Sequence, residues 1–109
     1  MENARLMDRP EDFKKLGINP DKVELWEGGL RNTDDIGNNE VWYFDGTFED
    51  GSKVIIGFRP KTAAGMGEKG FSPNLNLDIT RPNGTTTQEF AFATIENSSM
   101  SKEKCDVHF

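Results

Sequence analysis

The chain has 109 residues, enough for one domain, and its formal net charge is −6 with a pI of about 4.7. Its 13 Lys and Arg are scattered, so the sequence offers no basic patch for nucleic acid or for an anionic membrane surface. Only 34% of the residues are hydrophobic, and much of the apolar area lies in eight Phe. We therefore expect a small acidic domain with no nucleic-acid partner.

One cysteine, Cys105, and one histidine, His108, exclude an internal disulfide and a zinc site built from several His and Cys ligands. We expect Cys105 to be a small core residue and His108 to face solvent, with no metal site. No run approaches the roughly 18 apolar residues of a membrane span, and the first eight residues lack the apolar core of a signal peptide. These features predict a cytoplasmic protein.

Residues 8–17 predict a short helix. Asp8 is the expected cap, Glu11 stands three residues later, Pro10 suits the first turn and Gly17 ends the helix. A helix of this length is unstable alone, so it must dock on another element.

Residues 39–60 predict one β-hairpin. Two runs rich in aromatic and β-branched residues flank a polar turn at 49–52, where a glycine accepts a positive φ. In the first run Trp42 and Phe44 share one face, and Tyr43 lies on the other. Apolar groups on both faces predict that the hairpin is buried on two sides.

Alternation of apolar and polar residues predicts three further strands, at 74–80, 89–95 and 104–109. The result is five or six antiparallel strands in sequence order, a meander with no helix between strands. The chain stops within an alternating run, so we expect a truncated domain with too few strands to close an up-and-down barrel. An exposed sheet edge, and a homodimer formed through it, follow from that expectation. We divide the chain into an N-terminal extension, 1–22, and a β domain, 23–109.

Residues 65–70 match the pattern G-x-G-x-x-G, which binds dinucleotides only between a strand and a helix N-terminus. A proline and then a strand pattern follow here, so we interpret the motif as a mobile loop. If the sheet curls around a ligand, this loop is a candidate lid.

Five carboxylates are weighed as general acids: Glu40, Asp45, Glu49, Asp50 and Asp78. Solvated carboxylate is the favoured interpretation for each, and Asp45, which follows an aromatic run, is the one candidate catalytic residue. Five aromatic residues either pack a core or line an apolar pocket: Trp42, Phe44, Phe58, Phe90 and Phe92.

The run L-W-E-G-G-L-R at 25–31, followed by E-V-W-Y-F-D-G at 40–46 and D-G-S at 50–52, resembles a known family. It is similar to the N-terminal part of the carotenoid 1,2-hydratase (hydroxyneurosporene synthase) family, related to AttH-like lipocalin proteins. That family typically shows W-E-x-G-x-R, then E-W-W-Y-F-D and a D-G turn. Val41 stands where the family has the first of its paired tryptophans, and the family's second domain is missing.

The resemblance implies a lipocalin-like partial barrel that binds an apolar, isoprenoid-like molecule, with Trp42, Phe44, Phe58 and Phe90 as ligand-binding residues. For the full-length protein it implies a cofactor-independent hydro-lyase, in which an acid protonates an isoprenoid C=C bond and water captures the cation. Fungal relatives imply cyclisation instead. We expect the fragment to be inactive alone. The alternative is a non-catalytic structural or interaction module that self-associates through a sheet edge.

Overall fold

The computed structural model describes residues 3–109, and its centre is one open antiparallel sheet. The first two residues of the N-terminal extension lie outside the described part. The four strands of the sheet are β1 (Trp42–Thr47), β2 (Lys53–Arg59), β3 (Asn74–Thr80) and β4 (Thr86–Phe92). Two short strands, β5 (Ser99–Met100) and β6 (Val107–His108), pair with each other. Each strand of the large sheet pairs with its sequence neighbour, which confirms the meander; β1 and β4 are its edges.

Local turn chemistry produces the hairpins. At the predicted turn 49–52, Gly51 has a φ of 89°, and the carboxylate of Asp50 accepts a hydrogen bond from the backbone N–H of Ser52 at 2.8 Å. A Cβ would be strained at that φ, so glycine suits the position. The predicted turn at 81–84 joins β3 to β4.

Helix α1 (Pro10–Leu16) forms where the sequence predicts it and ends at Gly17, whose φ is 70°. The predicted cap is wrong by one residue: Arg9, and not Asp8, holds the capping position. The reason is that the carboxylate of Asp12 accepts the backbone N–H of Arg9 at 3.1 Å, which fixes the first turn at that spacing.

A bidentate ion pair ties the helix to the chain before it. The two terminal guanidinium nitrogens of Arg5 each donate to one carboxylate oxygen of Asp12, at 2.7 Å. The side chain of Asp12 is buried. The hydrogen bond from Arg5 is the main cause that lowers the pKa of Asp12 from 3.8 to about 2.

The two faces of the sheet differ in chemistry, as the pairing register shows. The Trp42 face carries apolar side chains of β1, β2 and β3, among them Trp42, Phe44, Ile56, Phe58, Leu75 and Leu77. The Phe90 face carries polar and aromatic side chains, among them Tyr43, Asp45, Arg59, Asn76, Asp78, Phe90 and Phe92. The prediction that the hairpin is buried on both sides is wrong, because Tyr43, on its second face, is 57% exposed.

The apolar core is small. Leu30 and Trp42 are the buried hydrophobic residues of the described part of the chain. Phe58 packs edge to face against Phe44 and Phe109, with ring centroids 6.0 and 5.4 Å apart. The Trp42 face is therefore partly covered, and Phe44 stays 42% exposed.

The C-terminal strand is shorter than its alternation predicts. It starts at Val107, and the residues before it form bends, so Cys105 is exposed and the expectation that it packs in a core is wrong. His108 is exposed as expected, with its Nε2 3.1 Å from a carboxylate oxygen of Asp106.

The connection between β2 and β3 packs against the polar segment 33–39. Lys61 is fully buried, and its ammonium donates to the backbone oxygens of Asp35 at 2.6 Å and Glu68 at 2.8 Å. The glycine-rich motif at 65–70 includes part of a single 3₁₀ turn and opens no α-helix, so it lacks the N-terminus that a phosphate site needs. Hydrogen bonds hold this connection to the segment before the sheet. Within residues 3–109 no helix is both long and apolar enough to cross a membrane.

Candidate functional site

A cavity of about 310 Å³ opens at the β1 edge of the sheet, and we call it the Trp42 cavity. Trp42 and Phe44 form its aromatic wall. Glu27, Arg31 and Glu40 supply charged groups on the other side. Aromatic area facing a few fixed polar groups is the usual composition of a small-molecule site.

The ring of Trp42 is fixed at the base of this cavity. It is 7% exposed, and its indole N–H donates to the backbone oxygen of Gly28 at 2.9 Å. Gly28 ends a 3₁₀ turn, Leu25–Gly28. Because an unpaired buried N–H is costly, this bond fixes both the ring and the turn. Two separate sequence segments, 25–31 and 40–46, thereby meet in space.

Arg31 and Glu40 hold the same segments together. The carboxylate of Glu40 accepts the backbone N–H groups of Arg31, at 3.2 Å, and Asn32, at 3.0 Å. The guanidinium of Arg31 lies 5.0 Å from the ring centre of Trp26, a cation–π distance, and also donates to the backbone oxygen of Lys102. These contacts close one side of the cavity with charged groups that are already engaged.

The charge of the cavity limits what it can bind. Glu27 and Glu40 bring two carboxylates against the single guanidinium of Arg31. The carboxylate of Glu27 accepts the backbone N–H of Glu24 at 2.6 Å, so it too has a structural role. An anionic ligand would be repelled, and a neutral apolar ligand would not.

The structure brings together some of the ligand-binding residues expected from the sequence. Trp42 and Phe44 line the Trp42 cavity, and Phe58 contacts Phe44 on the same face. Phe90 lies on the opposite face of the sheet, paired with Asn76. The four residues therefore do not form one pocket.

Asp45, the candidate acid, is exposed on the Phe90 face. It accepts a hydrogen bond from the hydroxyl of Tyr43 at 3.1 Å, and this bond raises the pKa of Tyr43 above 10.0. The side chain of Asp45 is absent from the lining of the Trp42 cavity. Tyr43, the hydrogen-bond partner of Asp45, does belong to that lining, so the candidate acid lies next to the cavity and not in it.

Sequence reasoning missed the charged side of the cavity. Glu40 was favoured as a solvated carboxylate, whereas it is half-buried and binds two backbone N–H groups. Glu27 and Arg31 lie in the W-E-G-G-L-R run that carries the resemblance.

Comparison with known proteins identifies no relative of this chain. No protein-family model matches the chain, and no curated protein or solved structure is significantly similar to it. Within residues 3–109 no cluster of three or more His, Cys, Asp or Glu side chains is able to hold a metal ion. Function must therefore be argued from the sheet and its cavities.

Proposed function

We propose that this chain is a lipocalin-like β module that binds a neutral, isoprenoid-like small molecule at the Trp42 cavity and along the Trp42 face. The observation that carries the proposal is the aromatic wall of Trp42 and Phe44, beside a cavity of about 310 Å³. That volume lies at the lower end of the range of small-molecule sites, about 300–1,000 Å³. The family resemblance of residues 25–52 supports the isoprenoid class.

Exposed apolar area on the Trp42 face would contribute to the affinity. Phe44 is 42% exposed. A ligand that covers that part of a phenylalanine removes on the order of 80 Å² from water, worth about 2 kcal/mol. A micromolar dissociation constant requires about 8 kcal/mol, so three or four contacts of this size are needed. Ile56, Phe58 and Leu77, half-buried on the same face, each add a smaller area than Phe44.

Charge narrows the ligand class. Two carboxylates and one guanidinium line the cavity, and the chain carries a net charge of −6. An isoprenoid alcohol fits this lining, whereas the corresponding acid brings an anion to a carboxylate-rich wall. The proposal therefore predicts a preference for the alcohol.

Binding, and not hydratase chemistry, is the function proposed here. Hydration of an alkene needs an acid that reaches the double bond. Asp45 lies on the other face, and the cavity carboxylates of Glu27 and Glu40 accept backbone hydrogen bonds. Hydratase activity stays a proposal that rests on the resemblance alone.

The test is a titration with all-trans retinol and all-trans retinoic acid, followed by tryptophan emission. We expect saturable quenching by retinol and weaker binding of the acid. Trp42→Phe retains Trp26, so loss of the quenching in this variant shows that Trp42 is the tryptophan that reports binding. Phe44→Ala should weaken binding about tenfold, the equivalent of 1.4 kcal/mol, whereas Phe92→Ala on the other face serves as the matched control. Absence of saturable quenching in the wild-type protein would contradict the proposal.

A second candidate function is self-association through a sheet edge. The observation that favours it is the exposure of β4, an edge strand whose Phe90 and Phe92 are 61% and 74% exposed. Such an edge is a template for strand pairing with another copy. Sedimentation velocity tests it: mass that rises with concentration supports assembly, and a monomer at all concentrations rules it out.

A further inference from the structure

A second cavity, of about 510 Å³, lies on the Phe90 face, and we call it the Phe90 cavity. It is lined by side chains of β2, β3 and β4, among them Arg59, Asn74, Asn76, Asp78, Phe90 and Phe92. It lies across the sheet from the Trp42 face, and the proposed binding of an isoprenoid does not use it.

The register of the sheet places flat rings beside amides. Asn76 pairs with Phe90, and Asn74 pairs with Phe92. Directly paired residues have Cβ atoms about 5 Å apart, so each ring stands next to a hydrogen-bonding group. Both rings are more exposed than buried, at 61% for Phe90 and 74% for Phe92. This arrangement presents an open aromatic platform with polar groups along one side.

The polar groups are positioned by burial. Asn76 is only 8% exposed, and its Oδ1 accepts a hydrogen bond from the Arg59 guanidinium at 2.5 Å. Gly57 leaves the room for this pair, since a Cβ there would lie 2.7 Å from the same oxygen. The floor of the cavity is thus a fixed polar surface.

One acceptor in this cavity has no donor. Oδ1 of Asp78 is buried, and no hydrogen bond to it forms within residues 3–109. A buried acceptor without a partner is costly, so a donor that reaches the carboxylate of Asp78 is favoured. Asp78 also corrects the sequence expectation of a solvated carboxylate.

We propose that the Phe90 cavity binds a neutral saccharide. Sugar rings have apolar C–H faces that pack on flat aromatic rings, and hydroxyl edges that donate and accept hydrogen bonds. A sugar hydroxyl donates to the half-buried carboxylate of Asp78, and a second hydroxyl bonds to the amide of Asn74, whose Nδ2 also donates to the backbone oxygen of Ser72. Arg59 and Asp78 carry opposite charges, and the chain is acidic overall, so the site disfavours an anion such as a nucleotide phosphate.

The test is a titration of the isotopically labelled protein with cellohexaose, xylohexaose and mannohexaose, followed by amide chemical shifts up to about 10 mM. Adenosine is included as a neutral ligand that also stacks and forms hydrogen bonds. We expect at least one hexasaccharide to give saturable shifts in β3 and β4. Lack of saturation with all three overturns the proposal, and so does binding of adenosine alone. Shifts confined to residues of the Trp42 face overturn it as well.

Matched variants locate the interaction. Asp78→Ala should weaken saccharide binding about tenfold, and Phe90→Ala should weaken it by a similar factor. Glu89→Ala removes a carboxylate from β4 on the Trp42 face, and Phe48→Ala removes an exposed ring from the hairpin turn. Both controls should bind as the wild type does. Equal losses in the controls and in the cavity variants contradict the assignment, whereas the amide spectrum shows whether each variant is folded.

Discussion

Replacement of Lys61 by Met tests whether its buried ammonium joins two segments of the chain. Lys61 is 0% exposed and donates to the backbone oxygens of Asp35 and Glu68. Met preserves most of the apolar stem and removes the charge. The substitution therefore leaves two carbonyl groups without their donor. One lies in the segment 33–39 and the other in the connection between β2 and β3.

The expected loss follows from opposing contributions. A carbonyl left unsatisfied costs about 1–3 kcal/mol, so the two together cost about 2–6 kcal/mol. Removal of a buried charge relieves part of that cost, because an ammonium is itself expensive to desolvate. We expect a net loss of about 2 kcal/mol, which corresponds to a roughly thirtyfold change in an opening equilibrium.

The assay is amide hydrogen exchange, read at two protons that bridge the segments. The N–H of Gly37 donates to Met66 O, and the N–H of Gly70 donates to Asp34 O, each at 2.8 Å. In Lys61→Met both should exchange about thirtyfold faster. Lys53→Met, at an exposed lysine that begins β2, should leave both rates unchanged. Unchanged or slower exchange at both amides in Lys61→Met would refute the reasoning.

Three further substitutions test the local chemistry. The pKa of Asp12, lowered from 3.8 to about 2 by Arg5, means that their ion pair stabilises the fold above pH 3.8 and is lost as the pH falls through 2. Urea unfolding of wild type and Asp12→Asn should therefore show a stability difference that shrinks over that window; a constant difference contradicts it. Trp42→Phe should lose about 1 kcal/mol in the same assay at neutral pH, because the hydrogen bond to Gly28 is removed, and no loss would argue against that bond. Gly51→Ala should lose about 1–2 kcal/mol, since the φ of 89° is strained for a Cβ, whereas an unchanged midpoint would show that the turn relaxes.

Local chemistry made the meander predictable. Glycine at 51 and 84 supplies the positive φ that each turn needs, and alternation indicates the strands, although β4 lies at 86–92 and not at the predicted 89–95. Both signals are contained within a few residues, so no knowledge of the tertiary structure is required. The cap of α1 was missed by one residue because Asp8 and Arg9 each have an acidic residue three positions later.

Alternation shows which residues share a face, but not which face is covered. Phe90 and Phe44 both alternate with polar neighbours, yet Phe44 packs on Phe58, and Phe90 is 61% exposed. Coverage depends on elements distant in sequence, such as the C-terminal Phe109 that packs on Phe58. Within the hairpin, Tyr43 is 57% exposed for the same reason, and the sequence pattern alone does not show this.

The burial of two polar side chains, Lys61 and Asn76, could not be predicted from the sequence either. Lys and Asn are usually exposed, so neither Lys61 nor Asn76 stands out by type. Lys61 is buried because two loops distant in sequence meet around it, and Asn76 because Arg59 and Gly57 enclose it. Both candidate cavities depend on such long-range contacts, although Trp42 and Phe44 were identified correctly as neighbours on one face.

Binding of an apolar ligand to the Trp42 face is tested most directly by intermolecular NOEs between geranylgeraniol and the labelled protein. The proposal predicts contacts from ligand methyl groups to the rings of Trp42 and Phe44, which line one cavity, and none to Phe92 across the sheet. Contacts to Phe92 without contacts to Trp42 would contradict it, as would a ligand that gives no intermolecular NOE to either face.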